Sequence, residues 1–485
     1  MNTYIGIDLG TSAVKILLVD PNGKILNSVS RSYPISYPQP GWSEQNPEDW
    51  LCATLEGLEE LLTGYQKADV KGISFGGQMH GLVLLDAEDR VIRPAILWND
   101  GRTEKQTDDL NNGIGKQMLS EYTANIAFAG FTAPKILWVQ ENEPQNFARI
   151  AKIMLPKDYL AYMLTGTHAT DFSDASGMLL LDVKNKCWSG QMCEICHVKE
   201  EWLPTLYESF AVIGQVKEKF GFPNAVVAAG AGDNAAAAIG VGAVENGDCN
   251  LSLGTSGTLF VSGDCFSVDP NNALHSFVHA NGKWHLMGCI LSAASCNKWW
   301  IEDILQTGYD TSLAGAAEKM GKNTVFFLPY FMGERSPHND THARGAFIGL
   351  TPETSREDMG LAVLEGVAFA LRDCMEVAKE NGLQITQTKI CGGGAKSGLW
   401  RAVIANILGV TVKTVCVEEG PAYGAVMLAM VAAGEYETLP LAVESLVRVK
   451  SETECTPALQ AMYDEKYRVF RSLYPALKDI FAKTY

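Results

Sequence analysis

No stretch of this sequence approaches the ~20 consecutive apolar residues that a membrane-spanning helix requires. Positive charge is also scarce: 39 lysines and arginines stand against 56 aspartates and glutamates, a formal net charge of −17 at pH 7. A broad nucleic-acid or anionic-membrane surface is thereby disfavoured, because either needs clustered basic side chains to displace counterions. Nothing basic and apolar precedes the strand-like YIGIDLG of residues 4–10, so the cytoplasm is the expected compartment. The 12 cysteines are scattered rather than paired, as small core residues of a reducing compartment would be. Cys193, Cys196 and His197 spell C-x-x-C-H, but haem attachment by that motif needs export, and a zinc site would need a second ligand pair. A Walker A loop is missing too, since GGGAKS at 392–397 has the wrong spacing.

What is present is a globular α/β pattern. At 485 residues the chain exceeds one core, and a length prior of about 150 residues per domain predicts two or three. Ile5 and Ile7, then Val14, Ile16 and Leu18, alternate as strands do, and Asp20-Pro21-Asn22-Gly23 supplies a turn into a third strand from Ile25. Asn46 and Pro47 open a helix whose apolar face carries Leu51, Leu55, Leu58 and Leu62, with Gly64 placed to close it. A buried strand, GISF, then runs into GGQMHGLVLLD. Strands followed by alternating helices and strands predict a mixed sheet.

An internal repeat divides the chain. IGIDLGTSAVKILLV near the start is echoed by CNLSLGTSGTLFVSG near the middle: strand, Leu-Gly-Thr-Ser, strand. Two lobes on one plan follow, spanning 1–245 and 246–485. Tight turns of Gly, Thr and Ser present consecutive N–H groups and hydroxyls, which is what phosphate oxygens bind. In the first copy Asp8 occupies the place of Ser252 in the second. One carboxylate suits a metal, whereas two opposed ones would repel the phosphates.

Two further glycine-rich segments carry alternatives. AAGAGDNAAAAIGVG, residues 228–242, sets Asp233 and Asn234 in a run of small residues. Asp233 reads either as a helix cap or as a carboxylate around which another body comes close. Gly230-x-Gly232-x-x-Ala235 approximates the dinucleotide fingerprint of a dehydrogenase, but Asp233 would then repel the pyrophosphate. ICGGGAKSGLW, residues 390–400, is either a flat backbone surface for adenine or ribose, or merely a strand-to-helix turn.

The motifs resemble those of the FGGY carbohydrate kinases over nearly the whole chain, to about residue 435. GFTAPKILWVQEN (130–142) and GAFIGLTPETSREDMGLAVLEG (345–366) are similar to the two family signatures, and GGQMHG, PAILWNDGRT, LPKDYLAYMLTG and TDFSDASG follow in family order. The resemblance implies two actin-like (RNase-H-like) α/β domains with a catalytic cleft between them, and ATP with Mg2+ as cofactors. It also implies a small sugar as acceptor, best matched to D-xylulose at its terminal hydroxyl; ribulose, gluconate and glycerol are the alternatives. By position, Asp233 corresponds to the catalytic base with Asn234 beside it, and Asp8 to the carboxylate near the metal. Gln78, Met79 and His80 fall in the sugar segment, and Trp98, Asp100 and Arg102 either contact the sugar or anchor a loop. Gly10, Thr11, Ser12 and Lys15, with Gly254, Thr255 and Ser256, match the phosphate turns, while Gly393, Gly394, Ala395 and Ser397 lie in the adenosine segment. Family precedent adds a homodimer. A non-catalytic actin-like nucleotide-binding module is disfavoured by the joint presence of Asp8, both turns and Asp233.

Overall fold

The computed structural model describes residues 1–309, 313 and 315–484. Its contacts divide the chain into two compact units: Met1–Val244, Ser276–His285 and Glu419–Val447 form the first, and Glu245–His275, Leu286–Glu418 and Arg448–Tyr485 the second. Among the described residues no helix is long and apolar enough to cross a membrane.

In the first unit the opening segment forms the three expected strands, β1 (Thr3–Leu9), β2 (Ala13–Val19) and β3 (Ile25–Ser32). Helix α1 (Pro47–Leu61) begins at Asn46, whose side chain accepts the Glu48 amide, and Gly64 lies in the left-handed region just past its end. Its buried face carries Trp50, Ala53, Thr54, Gly57, Leu58 and Leu61, so Leu51 and Leu55 sit at the edge of the stripe, half-buried. The indole of Trp50 claims the centre because its N–H finds a buried acceptor in Gln45, at 3.0 Å. Strands β4 (Val70–Gly77), β5 (Val212–Gln215) and β6 (Val226–Ala228) complete a sheet ordered β5-β6-β4-β1-β2-β3. Helices α2 (Pro156–Thr165) and α3 (Asp233–Val241) flank its site-bearing end.

The second unit repeats this plan. Strands β7 (Cys249–Leu253), β8 (Gly257–Gly263), β9 (Trp284–Ile290), β10 (Gln387–Cys391), β11 (Thr411–Val415) and β12 (Val449–Thr453) run in the order β9-β8-β7-β10-β11-β12. The strand senses match as well: β1 and β7 each pair antiparallel with the strand that follows and parallel with β4 and β10 respectively. Asp8 and Ser252 both lie two residues before the turn glycine, opposite Lys15 and Thr258. The repeat legible in fifteen residues is thus a repeat of sheet topology. Helices α4 (Arg356–Glu380) and α5 (Gly398–Leu408) belong to this second unit.

Helix α6 (Gly420–Ala432) follows β11 in sequence but packs in the first unit, where Ala422 to Met430 are buried all round. It comes closer to its neighbours than side chains would permit. A Cβ on Gly6 would stand 2.1 Å from the Ala422 carbonyl oxygen, and one on Gly424 would stand 1.8 Å from the Ala236 carbonyl oxygen. The small residues of α3 therefore admit a second helix, rather than only a ligand. Adding a side chain at this crossing forces backbone apart, so Gly424→Val is expected to destabilise the first unit by about 1–3 kcal/mol or more. A denaturant midpoint equal to the parent's would contradict this packing account.

Candidate active site

The two turns share one construction. In the first, the Gly10 carbonyl accepts the Tyr33 hydroxyl and the Thr11 carbonyl accepts the Gln45 side-chain amide at 2.7 Å. In the second, the Gly254 carbonyl accepts the Ala294 amide at 2.8 Å, and the Thr255 carbonyl accepts the Ala293 amide at 2.9 Å and the Ser295 hydroxyl at 2.7 Å. In a trans peptide the N–H of the next residue points opposite to the carbonyl. Tying these carbonyls into the fold therefore turns the N–H groups of Thr11 and Ser12, and of Thr255 and Ser256, away from it. Ser12 and Thr255 are the exposed residues of their turns, as an anion-binding nest requires. Lys15, across the hairpin from Asp8, forms an ion pair with Glu419.

Asp233 is the first residue of α3 rather than its cap, which is Gly232. Its carboxylate accepts the Asn234 amide N–H at 2.7 Å and the Asn234 side-chain amide at 2.9 Å. Burial pushes its pKa up to about 6 against those two bonds. Asp8 is pushed further, to about 7, by burial and then by the charge of Asp233, with Lys15 pulling the other way. Asp8 thus feels the charge of Asp233. A carboxylate opening α3 also disposes of the dinucleotide fingerprint, since a pyrophosphate would need that helix start for itself.

Met79 packs against the residue before this carboxylate, and both Met79 and His80 pack against Gly177. A Cβ on Gly232, the residue before Asp233, would come within 2.9 Å of Met79 Cγ, and one on Gly177 would come within 2.3 Å of the His80 ring. His80 adopts φ 69°, its Nδ1 lies 2.8 Å from the Gly177 carbonyl, and its ring centroid is 4.7 Å from that of Phe131. The His80 carbonyl accepts the fully buried Lys135 ammonium at 2.7 Å, and burial holds that lysine well below its usual pKa range. Trp98, 40% exposed, donates its indole N–H to the Thr11 hydroxyl at 2.9 Å, linking the LWNDGR loop to the first turn.

The other residues of the sugar segment lie deeper. Gln78 is buried and donates to Gln45 at 3.1 Å, so it braces the side chain that braces Thr11. The Arg102 side chain has no exposed surface: it pairs with Asp100 at 2.7 Å and Glu44 at 2.7 Å and lies 3.8 Å from the Trp42 ring centroid. Asp100 also accepts the Ser43 amide at 2.6 Å. Both therefore anchor the loop, the second of the two readings the sequence left open. In the second unit, Gly392 and Gly393 are exposed while Gly394 and Ala395 are buried, Gly394 against Trp400. Ser397 caps α5 by accepting the Trp400 amide at 3.2 Å.

Sequence reasoning missed Tyr33, Gln45, Lys135 and a buried charge cluster of Lys157, Asp158, Asp171 and Asp174. Their contacts join segments far apart in the chain, and no local spacing announces them. Among the described residues no group of three or more His, Cys, Asp or Glu could hold a metal ion.

Residues 3–240 match the N-terminal domain of the FGGY family of carbohydrate kinases, and residues 249–433 match its C-terminal domain. The chain is 41% identical, over 491 aligned positions, to a xylulose kinase of Escherichia coli (strain K12), covering 99% of this chain and 100% of that one. Two solved structures from Lactobacillus acidophilus, a ligand-bound xylulose kinase and a gluconate kinase, each superpose with a TM-score of 0.95 at 27% identity, covering 100% of both chains.

The causes of the two shifts predict how variants titrate. Asp233→Asn should let Asp8 titrate at lower pH than in the parent, and Asn234→Ala should raise Asp233. Carboxyl NMR of aspartate-labelled protein reads both. An Asp8 titration unmoved by Asp233→Asn would contradict the site geometry.

Proposed function

Because the chain belongs to the FGGY family of carbohydrate kinases, we propose that it transfers the γ-phosphoryl group of ATP to the terminal hydroxyl of D-xylulose, yielding D-xylulose 5-phosphate, ADP and a proton. The observation that carries this reading is Asp233, a desolvated carboxylate at the start of a helix with Met79 packed against the residue before it. Phosphoryl transfer needs in-line placement, neutralised phosphate charge and an acceptor for the alcohol proton. A carboxylate at the reference pKa of ~3.9 is a feeble base, and raising it to about 6 improves the match while leaving it ionised at neutral pH. Asp233 takes the proton late, as the O–P bond forms and the hydroxyl becomes acidic. Asn234 fixes the carboxylate's orientation, and Met79 and His80 line the sugar's side.

In this reading the N–H groups and hydroxyls of Gly10–Ser12 and Gly254–Ser256 take phosphate oxygens, with Lys15 near the first turn. The exposed backbone of Gly393 supports adenosine, its flatness set by buried Gly394 and Ala395 and by the Ser397 cap. A divalent cation fits beside Asp8, where both causes of its raised pKa, burial and the charge of Asp233, are ones a cation offsets. Few protein ligands converge there, as suits Mg2+ that keeps waters and phosphate oxygens. Bound with ATP, Mg2+ neutralises charge on the β- and γ-phosphates. Cytoplasmic pentose use is the setting that fits an acidic kinase with no membrane helix among its described residues.

A second reading keeps the nucleotide machinery and changes the acceptor. It is favoured by the equal likeness to a structure named gluconate kinase. ADP release measured over D-xylulose, ribulose, gluconate and glycerol separates the two, with D-xylulose expected to give the highest kcat/KM. Asp233→Asn should lower turnover by at least ~10²-fold while nucleotide still binds. A variant phosphorylating sugar at near the parent rate would overturn the assignment of the base.

A further inference from the structure

The segment TDFSDASG, residues 170–177, packs Gly177 against His80, yet its serines and aspartates have no part in the mechanism above. Asp171, Ser173 and Asp174 are all buried, beside Lys157 from α2. Burial works against the Lys157 charge, but Asp158 at 2.6 Å, Asp171 at 2.9 Å and Asp174 at 3.6 Å outweigh it and keep the ammonium protonated. Lys157 occupies one oxygen of Asp171. The other accepts the Ser173 amide at 2.8 Å, the Ser173 hydroxyl at 2.5 Å and the Ser209 hydroxyl at 2.7 Å.

A serine hydroxyl has one proton. Here it is committed to Asp171, so the oxygen's lone pairs are free to accept, and they accept the Gly232 amide N–H at 3.2 Å. Gly232 immediately precedes Asp233 and cannot be anchored through a side chain, because a Cβ there would collide with Met79. Its backbone holds it instead, paired alongside Gly77 of β4 and bonded through its amide to Ser173.

We propose that Ser173 is a positioning residue for Asp233, holding the start of α3 through the Gly232 amide while the Lys157–Asp171 ion pair fixes the direction of its hydroxyl. This rests on the reading of Asp233 as the base. Without the hydroxyl, the Gly232 N–H and one oxygen of Asp171 each lose a partner, and the start of α3 is held less firmly. Displacing a reacting group by about 1 Å costs up to ~10²-fold in rate.

The test uses the full-length protein and the variants Ser173→Ala, Ser173→Thr and Asp233→Asn. Ser173→Ala should lower kcat for D-xylulose by about ten- to a hundredfold with KM for ATP within about twofold of the parent's, and Ser173→Thr, which keeps the hydroxyl, should recover most of it. Carboxyl NMR reads the same contact without turnover: Asp233 should titrate at a different pH in Ser173→Ala and at the parent's pH in Ser173→Thr. The proposal is overturned if Ser173→Ala keeps kcat within about twofold of the parent, if the titration does not move, or if the threonine variant is as impaired as the alanine one. If Asp233→Asn remains active, or the parent ignores D-xylulose, while Ser173→Ala moves the titration, the assigned chemistry fails and the positioning role stands.

Discussion

Two half-buried carboxylates near each other are the constraint on which this structure turns. Neither Asp8 nor Asp233 would choose that environment, since burial penalises the charged form of each and the charge of Asp233 adds to the cost at Asp8. They are kept there by a framework that cannot yield: Asp8 is fixed on a strand paired on both sides, and Asp233 on a helix start whose neighbours allow no extra atom. The resulting pair is unfavourable alone, and in the proposed function a cation and a transferable proton would relieve it.

The same economy governs the two turns proposed to bind phosphate. Neither turn contains a cationic residue, and the chain is acidic throughout. Binding polarity is instead made from the backbone, by fastening carbonyls on one side so that amides face the other. That device tolerates a net charge of −17 because N–H dipoles act at contact distance, where the global field matters little.

Much of this was legible in the sequence. The repeat of Leu-Gly-Thr-Ser between strands identified both turns and the duplication, because a tight turn needs local residues at fixed spacing. Asp233 stood out as a charge in a run of alanine and glycine. What stayed hidden is non-local. The alanines and glycines of α3 serve the approach of α6, which lies nearly two hundred residues away in the chain, so spacing around Asp233 could not reveal it. Asp100 and Arg102 carry charges that suit either a sugar contact or a loop anchor; in the structure they pair with each other, Arg102 under Trp42, and no periodicity foretells a buried guanidinium. The line from Lys157 through Asp171 and Ser173 to Gly232 joins segments about 75 residues apart and depends wholly on tertiary folding.

The pH dependence of kcat/KM for D-xylulose tests the central claim, that an elevated carboxylate accepts the sugar's proton, most directly. It should fall on the acid side from about pH 7 downward, as Asp8, at about 7, and Asp233, at about 6, take up protons. A profile that stays flat down to pH 5 would mean that no such carboxylate governs the step, and would contradict the account.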